Sequence, residues 1–421
     1  MAEPPEQAGL LGAPGRGPVD MDPEDPVTWW LAANARKGNW LKISAQMHDH
    51  VLLVAGVPAT KFYYDAKVNV GAAAAVSAWY GFDSPGIAID VYNYEAEAMG
   101  QKMVYSPIAM PTIDCREPLV AEKKDLDRLK PPADWLAMKR IVFVLDTVRY
   151  GARLGTPHGQ FCAPFSLAVG VRSYPRLIHD MRRDPAFAHE LFSRLVDDVL
   201  PSYLSVQKEY CGVELAEGAD AWAAFPNLTP ELLEEWVVPY AERLLRNCAS
   251  FGVTALTVVG ADYCEENLEK FDKRILFKTL DVQIKLNMGQ PALFLGMGRW
   301  HEYPLEAVAE YLAPYAERGV RATVIAGINA RLLRDGPVEA IVDNIRRYVT
   351  ALGRDHNLSF FLANIPADTS PEHIHAAVAA AHAYGAQPLD DDLGDVEIDM
   401  PKRESFRDFC DRMSNGLGLR F

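Results

Sequence analysis

Eight short apolar runs, each separated from the next by a stretch of helical periodicity, predict an α/β chain closed as a (β/α)8 TIM barrel. The runs are brief, several are rich in β-branched or aromatic residues, and few of them alternate. Strands buried on both faces of a parallel sheet read this way. The intervening segments carry one apolar face each. An open doubly wound sheet is the alternative arrangement of the same elements. The chain has no GxGxxG after a first strand and no GxxxxGK[ST], so the nucleotide-binding forms of that sheet lose support.

In order, the expected strands are 41–47, 85–91, 158–163, 212–219, 254–260, 291–296, 322–328 and 358–363. The clearest helices are 187–208, 229–250, 304–317, 337–352 and 370–384, and a further long helix is expected over about 266–288. Thr229-Pro230-Glu231 and Ser370-Pro371-Glu372 mark two of the starts: a hydroxyl caps the first free amides, and proline stands where no amide is needed. Residues 1–26, rich in Pro, Gly, Ala and acid, are expected to be disordered, leaving 27–386 for the barrel. The extension 387–421 carries an acidic stretch and an amphipathic segment from Glu404 to Met413, expected to serve packing or oligomer contacts.

The chain has 421 residues, 49% of them hydrophobic, and a net charge of −15. That apolar fraction supports a large core and excludes global disorder. The acidity speaks against a nucleic-acid binder, which needs clustered Lys and Arg. No apolar run reaches the length of a membrane span. The six cysteines form no CxxC pair, which disfavours a disulfide scaffold or a Cys-rich zinc module. The N-terminus shows no signal-peptide pattern, so a cytoplasmic location is expected.

Barrel chemistry sits at the C-terminal strand ends. There the expected strands present Gln46-Met47-His48-Asp49-His50, then Asp90-Val91-Tyr92-Asn93, then Asp262 to Glu266, with Asn329 and Asn364 after the last two. Strand three carries His158, Gln160 and Cys162. This inventory suits a cation or proton transfer. His48 and His50 either converge on one strand face or form a helix-cap cluster with one buried imidazole. Asp90 interrupts an apolar run and is a candidate catalytic carboxylate. Glu266, Asp281 and His301 supply oxygen and nitrogen ligands of the kind zinc takes, although a helix over 266–288 would separate the first two by about 20 Å. Cys162 reads as packing rather than as a nucleophile. No GxSxG is present.

Several segments in order, among them Val57–Asp65, Tyr80-Gly-Phe-Asp83, Glu95–Gly100, Ala163–Ala168, Ala326-Gly-Ile-Asn329 and Ile365–Glu372, resemble the uroporphyrinogen decarboxylase superfamily. Within it the chain looks most like the corrinoid-dependent methyltransferase branch. The resemblance implies the same (β/α)8 barrel, and Asp90 stands at the family's strand-two carboxylate. True decarboxylases of the family carry an arginine-rich strand-one motif for the tetrapyrrole carboxylates; here that stretch holds two histidines and no arginine. The His-x-Cys zinc motif of thiol-methylating members is missing too. In O-demethylating members zinc is associated with Glu-x14-Glu-x20-His, and Glu266-x14-Asp281-x19-His301 is a near match.

The expected activity is therefore transfer of a methyl group from a small methylated donor, an aryl methyl ether by preference, to the cobalamin of a corrinoid protein partner. Tyr92, Asn93, His158 and Asn329 are expected to bind the donor, and His48, His50 and Asp90 to act on it. The alternatives are a decarboxylase of a small or aromatic acid, which keeps Asp90, and a barrel adapted as a binding subunit.

Overall fold

The computed structural model describes residues 30, 38–87, 89–90, 93–154, 157–260, 271–296, 304–398, 400 and 404–413. The N-terminal arm 1–26 lies outside them.

Seven parallel strands form two sheets. β1 (Ile43–Ala45), β9 (Asn357–Leu362), β8 (Thr323–Ala326) and β7 (Ala292–Leu295) pair in that order, and β4 (His158–Cys162), β5 (Leu215–Ala219) and β6 (Thr254–Val258) make the other sheet. The order β4-β5-β6 and β7-β8-β9-β1 follows a (β/α)8 barrel, but among the described residues the backbone ladder does not close into a full ring. Two short strands, β2 (Met103–Val104) and β3 (Thr112–Ile113), form an antiparallel ribbon that the sequence pattern does not announce.

Seven of the eight expected strands stand within a few residues of their expected spans. The exception is 85–91, whose described residues join no ladder. Gly86 is the reason. Its φ of +55 breaks the extended path, and a Cβ there would lie 3.0 Å from the Ala45 carbonyl oxygen. The segment thus packs on β1 by close approach.

Strand burial alternates. Ala216 and Gly218, Ala255 and Thr257, Leu293 and Leu295, Val324 and Ala326 are buried, and the residues between them are partly exposed. The buried set faces the helices: a Cβ on Gly159 would meet Val213 at 2.7 Å and the Gln207 carboxamide at 2.8 Å. The partly exposed set, including His158, Gln160, Glu217, Phe294 and Phe361, therefore shares the inner face. The helix-side residues make two separate cores, one behind each sheet.

Side chains bridge the seams that the backbone leaves open. At the β6–β7 seam, buried Gln283 of the helix Lys273–Leu286 donates to the carbonyls of Val259 (2.7 Å) and Phe294 (2.9 Å) and accepts from the Phe294 amide (2.9 Å). At the other seam, Asp83 accepts from the Ile43 amide (2.8 Å) and the Trp40 indole (3.0 Å), and Glu95 accepts from the Cys162 amide (2.7 Å).

The expected helices are present with three revisions. The described part of the 266–288 helix is Lys273–Leu286, with 261–270 outside the described residues. The 187–208 helix is Pro185–Arg194 and Leu200–Cys211 joined by a π turn, Leu195–Val199, where Pro201 removes a ladder donor. The 229–250 helix breaks at Val237, two residues before Pro239. Both expected caps form: Thr229 accepts from the Leu232 amide and Ser370 from the Glu372 amide. In the C-terminal extension, Phe409 and Cys410 of the helix Phe406–Met413 pack with Trp30, Ala74, Ala75 and Ala78. The Trp79 indole donates to the Glu404 carbonyl (3.2 Å). Among the described residues no helix is long and apolar enough to cross a membrane.

Candidate active site

The end of β1 turns abruptly at His48. Its φ of 40 and ψ of −120 are a conformation that L-residues rarely adopt, held here by the strand on one side and the helix Asp49–Ala55 on the other. Its Nδ1 is enclosed and has no hydrogen-bond partner among the described residues. Burial lowers its pKa to about 4, so the imidazole is neutral at physiological pH.

His50, two residues on, is committed to structure. Its Nδ1 lies 3.0 Å from the Ala367 carbonyl, which can only accept, so Nδ1 carries the proton and Nε2 accepts from the Tyr80 hydroxyl at 2.7 Å. The ring stacks on Tyr80 (5.8 Å between centroids). Burial lowers its pKa as well. Of the two expected readings of this pair, the second holds for His50: a buried, satisfied imidazole. Asp49 is likewise occupied, accepting from the Tyr63 hydroxyl (2.7 Å) and the Met110 amide (3.0 Å).

Asp90 is fully buried. Its Oδ2 is gripped by the Arg140 guanidinium and takes a longer bond from the Asn93 carboxamide (3.4 Å), whereas Oδ1 is enclosed and unpartnered among the described residues. Burial raises its pKa to about 6 against the opposing pull of Arg140. Two more carboxyls are buried, and the first of them, Glu95, is near enough to act on Asp90 by charge. Glu95 uses one oxygen on the Cys162 amide, leaves Oε2 enclosed without a partner, and is raised by burial to about 8. Asp220, past the end of β5, accepts from the Ser166 hydroxyl (2.7 Å) and amide (2.8 Å) and is raised by burial to about 7. Burial thus favours the protonated, proton-donating form of these carboxyls.

The other expected residues fall into three groups. Asn93 and Asn329 serve the backbone: Asn93 donates to the Pro111 carbonyl (2.7 Å), and the Asn329 Oδ1 caps the helix Ala330–Asp335 through the Arg331 and Leu332 amides. His158 stands at the N-terminal end of β4, opposite the strand ends that carry His48. It faces the interior and lies 3.3 Å from Glu217, which raises its pKa against the effect of burial. Tyr92, Glu266 and His301 lie outside the described residues.

The expected zinc set is corrected at Asp281. That residue is exposed on the helix Lys273–Leu286, whose opposite face packs on the sheet, and it accepts a hydrogen bond from the Tyr311 hydroxyl (2.7 Å). Its carboxylate is turned toward the neighbouring outer helix, so it does not fit a metal at the strand ends. Among the described residues no three His, Cys, Asp or Glu side chains converge as a metal site. Cys162 is fully buried, with its thiol pKa pushed up by burial, as a packing residue requires.

Arg140 and Glu95 are the residues that strand-end reasoning passed over, whereas Asp220 follows directly on the expected strand 212–219. Arg140 is nearly buried in the otherwise apolar Ile141-Val-Phe-Val-Leu145 turn of its helix, and a charge beside such a run was the available signal.

A model of the uroporphyrinogen decarboxylase family matches residues 43–384, and the chain belongs to that family. Curated relatives include a uroporphyrinogen decarboxylase from Syntrophotalea carbinolica, 30% identical over 176 residues (39% of this chain, 47% of the relative). Another, from Myxococcus xanthus, is 32% identical over 100 residues, or 22% of this chain and 28% of that one. The chain thus spans less than half the length of these relatives. Among solved structures, a methyltransferase from Methanosarcina mazei superposes with a TM-score of 0.59 at 17% identity, covering 85% of this chain and 98% of that one, which shows a shared fold.

Proposed function

We propose that this chain is a methyltransferase that removes a methyl group from a small, uncharged donor, preferably an aryl methyl ether, and passes it to a corrinoid carried by a partner protein. The observation that carries the reading is the chemistry of the buried polar groups. His48 is a neutral imidazole with a buried free nitrogen, Asp90, Glu95 and Asp220 are carboxyls that burial holds toward the protonated form, and the buried Arg140 is already engaged by Asp90. Such a site favours an uncharged molecule that needs a proton. A tetrapyrrole polycarboxylate needs a cationic cradle instead.

Breaking an aryl–O–CH3 bond leaves a phenolate. The methyl departs as a cation equivalent to the acceptor, and the oxygen must take a proton or a hydrogen bond. Asp90 is the group to supply it through Oδ1, with His48 as the hydrogen-bonding partner that orients the donor. A reduced corrinoid, when present, supplies the nucleophile that accepts the methyl. Zinc, part of the sequence expectation, is assigned no role through Asp281.

The test is anaerobic incubation of the protein with 2-methoxyphenol and cob(I)alamin, following loss of the Co(I) spectrum and release of catechol. Methylation that depends on the protein and falls at least tenfold in Asp90→Asn supports the reading. No transfer from a methoxyarene, a methylamine or a methylthiol overturns it. A second reading, decarboxylation of a small acid, rests on the retained Asp90 and on the named activity of the curated relatives. It is separated by release of CO2 from aromatic acids without any corrinoid.

A further inference from the structure

The guanidinium of Arg140 does more than neutralise a buried charge. It is 5% exposed and has three different partners: Nη2 on Asp90 Oδ2, Nη1 on the Tyr63 carbonyl (2.6 Å) and Nε on Glu97 Oε2 (3.3 Å). Its plane also lies over the Tyr64 ring (5.0 Å). A planar fork fixed at three points has one orientation, and a lysine cannot reproduce it. Tyr63 in turn donates to Asp49, which follows His48 at the end of β1. The cation therefore ties the strand-one turn to the Asp90 carboxyl across the seam where, among the described residues, no backbone ladder runs.

We propose that Arg140 is the positioning residue of this site: it clamps Asp90 by one oxygen only, so that Oδ1 is the single atom left to exchange a proton, and Glu97 holds the far side of the clamp. The proposal rests on Asp90 being the proton donor assigned above. The titratable groups facing Asp90 are Arg140, Tyr63 and Tyr64 on one side and Tyr94 and Glu95 of the helix Tyr94–Ala98 on the other. Among the described residues Arg140 is the only cation in that set. Glu97 acts at one remove, through the guanidinium, and it also accepts from the Tyr105 hydroxyl (2.9 Å).

The experiment is a carboxyl-carbon NMR titration of the protein labelled at aspartate, with the Asp90 signal identified by its loss in Asp90→Asn. It needs no substrate. Arg140→Met removes an opposite charge in contact with the carboxyl, so the Asp90 midpoint moves up by about 1–3 pH units. Arg140→Lys keeps most of that midpoint, because it keeps the charge, but loses the fork. In the methyl-transfer assay Arg140→Lys accordingly lowers kcat at least tenfold with KM little changed. Glu97→Gln, near the surface and conservative, moves the midpoint down. If Arg140→Met does not fold, Arg140→Lys and Glu97→Gln carry the test. An Asp90 midpoint that is the same in wild type and every folded variant overturns the proposal, as does full kcat in Arg140→Lys. If instead the midpoints move as stated while Asp90→Asn keeps full activity, the clamp stands and the proton-donor assignment falls.

Discussion

Gln283→Leu isolates the side chain that bridges the open β6–β7 seam. Leucine has similar volume, so the substitution opens no large cavity, but it offers no hydrogen bonds. Three backbone groups at the seam, one buried and two partly buried, lose their partner: the Val259 carbonyl, the Phe294 carbonyl and the Phe294 amide. Gln283 is 2% exposed, so water cannot replace it without opening the seam. At ~1 kcal/mol for each buried group left unsatisfied, the lower end of the usual range, the loss is about 3 kcal/mol. Urea unfolding should show a lower midpoint with an unchanged slope. Native-state hydrogen exchange should show the Phe294 amide losing protection ahead of the Leu293 and Leu295 amides. A stability change below about 0.5 kcal/mol, or unchanged protection at Phe294, would refute the claim that this side chain stands in for a ladder.

Other consequences follow from the site. His48→Gly relieves the positive φ and should raise stability by about 0.5–1 kcal/mol in thermal unfolding, while methyl transfer falls at least tenfold. His50→Phe removes both ring hydrogen bonds and leaves the Tyr80 hydroxyl and Ala367 carbonyl without them; denaturant unfolding should record a loss of about 2 kcal/mol. Glu95 makes stability fall with rising pH. Its folded pKa of about 8 lies above the ordinary glutamate value of 4.5, so the native state holds an extra proton between those values, and the stability it contributes at low pH is lost as pH climbs through them. Glu95→Gln keeps an oxygen for the Cys162 amide and should flatten that decline in melting temperatures taken from pH 5 to pH 8. Asp281→Asn should leave metal content by elemental analysis the same as wild type, since the carboxylate pairs with Tyr311 on the outer helices.

The barrel was legible in the sequence because short apolar runs alternate with segments that carry one apolar face. Strand two was misread because an apolar run with β propensity, 85–91, contains Gly86, whose positive φ only the approach to β1 explains. The site was half legible. Asp90 stood out as a lone carboxylate in an apolar run, and the two histidines as a dense pair. Which histidine was free required the partners of His50, Tyr80 and Ala367, far away in the chain. Asn329 looked like a ligand-binding strand end but its oxygen is spent on a helix cap, a local competition that residue type alone does not reveal. Asp281 had the right spacing for a motif and the wrong face of its helix. Arg140 was invisible to strand-end reasoning because it comes from a helix, and its role exists only through contacts with Asp90, Tyr63 and Glu97.

The measurement that bears most directly on this account is single-turnover methyl transfer from 2-methoxyphenol labelled in its methyl carbon to cob(I)alamin, for wild type and Asp90→Asn across pH 5–8. The expected result is label on the corrinoid with wild type, a rate that declines as pH rises through about 6 as Asp90 loses its proton, and a pH-independent residual rate at least tenfold lower in Asp90→Asn. Label remaining wholly in 2-methoxyphenol, with CO2 released instead from an aromatic acid supplied without corrinoid, would contradict it.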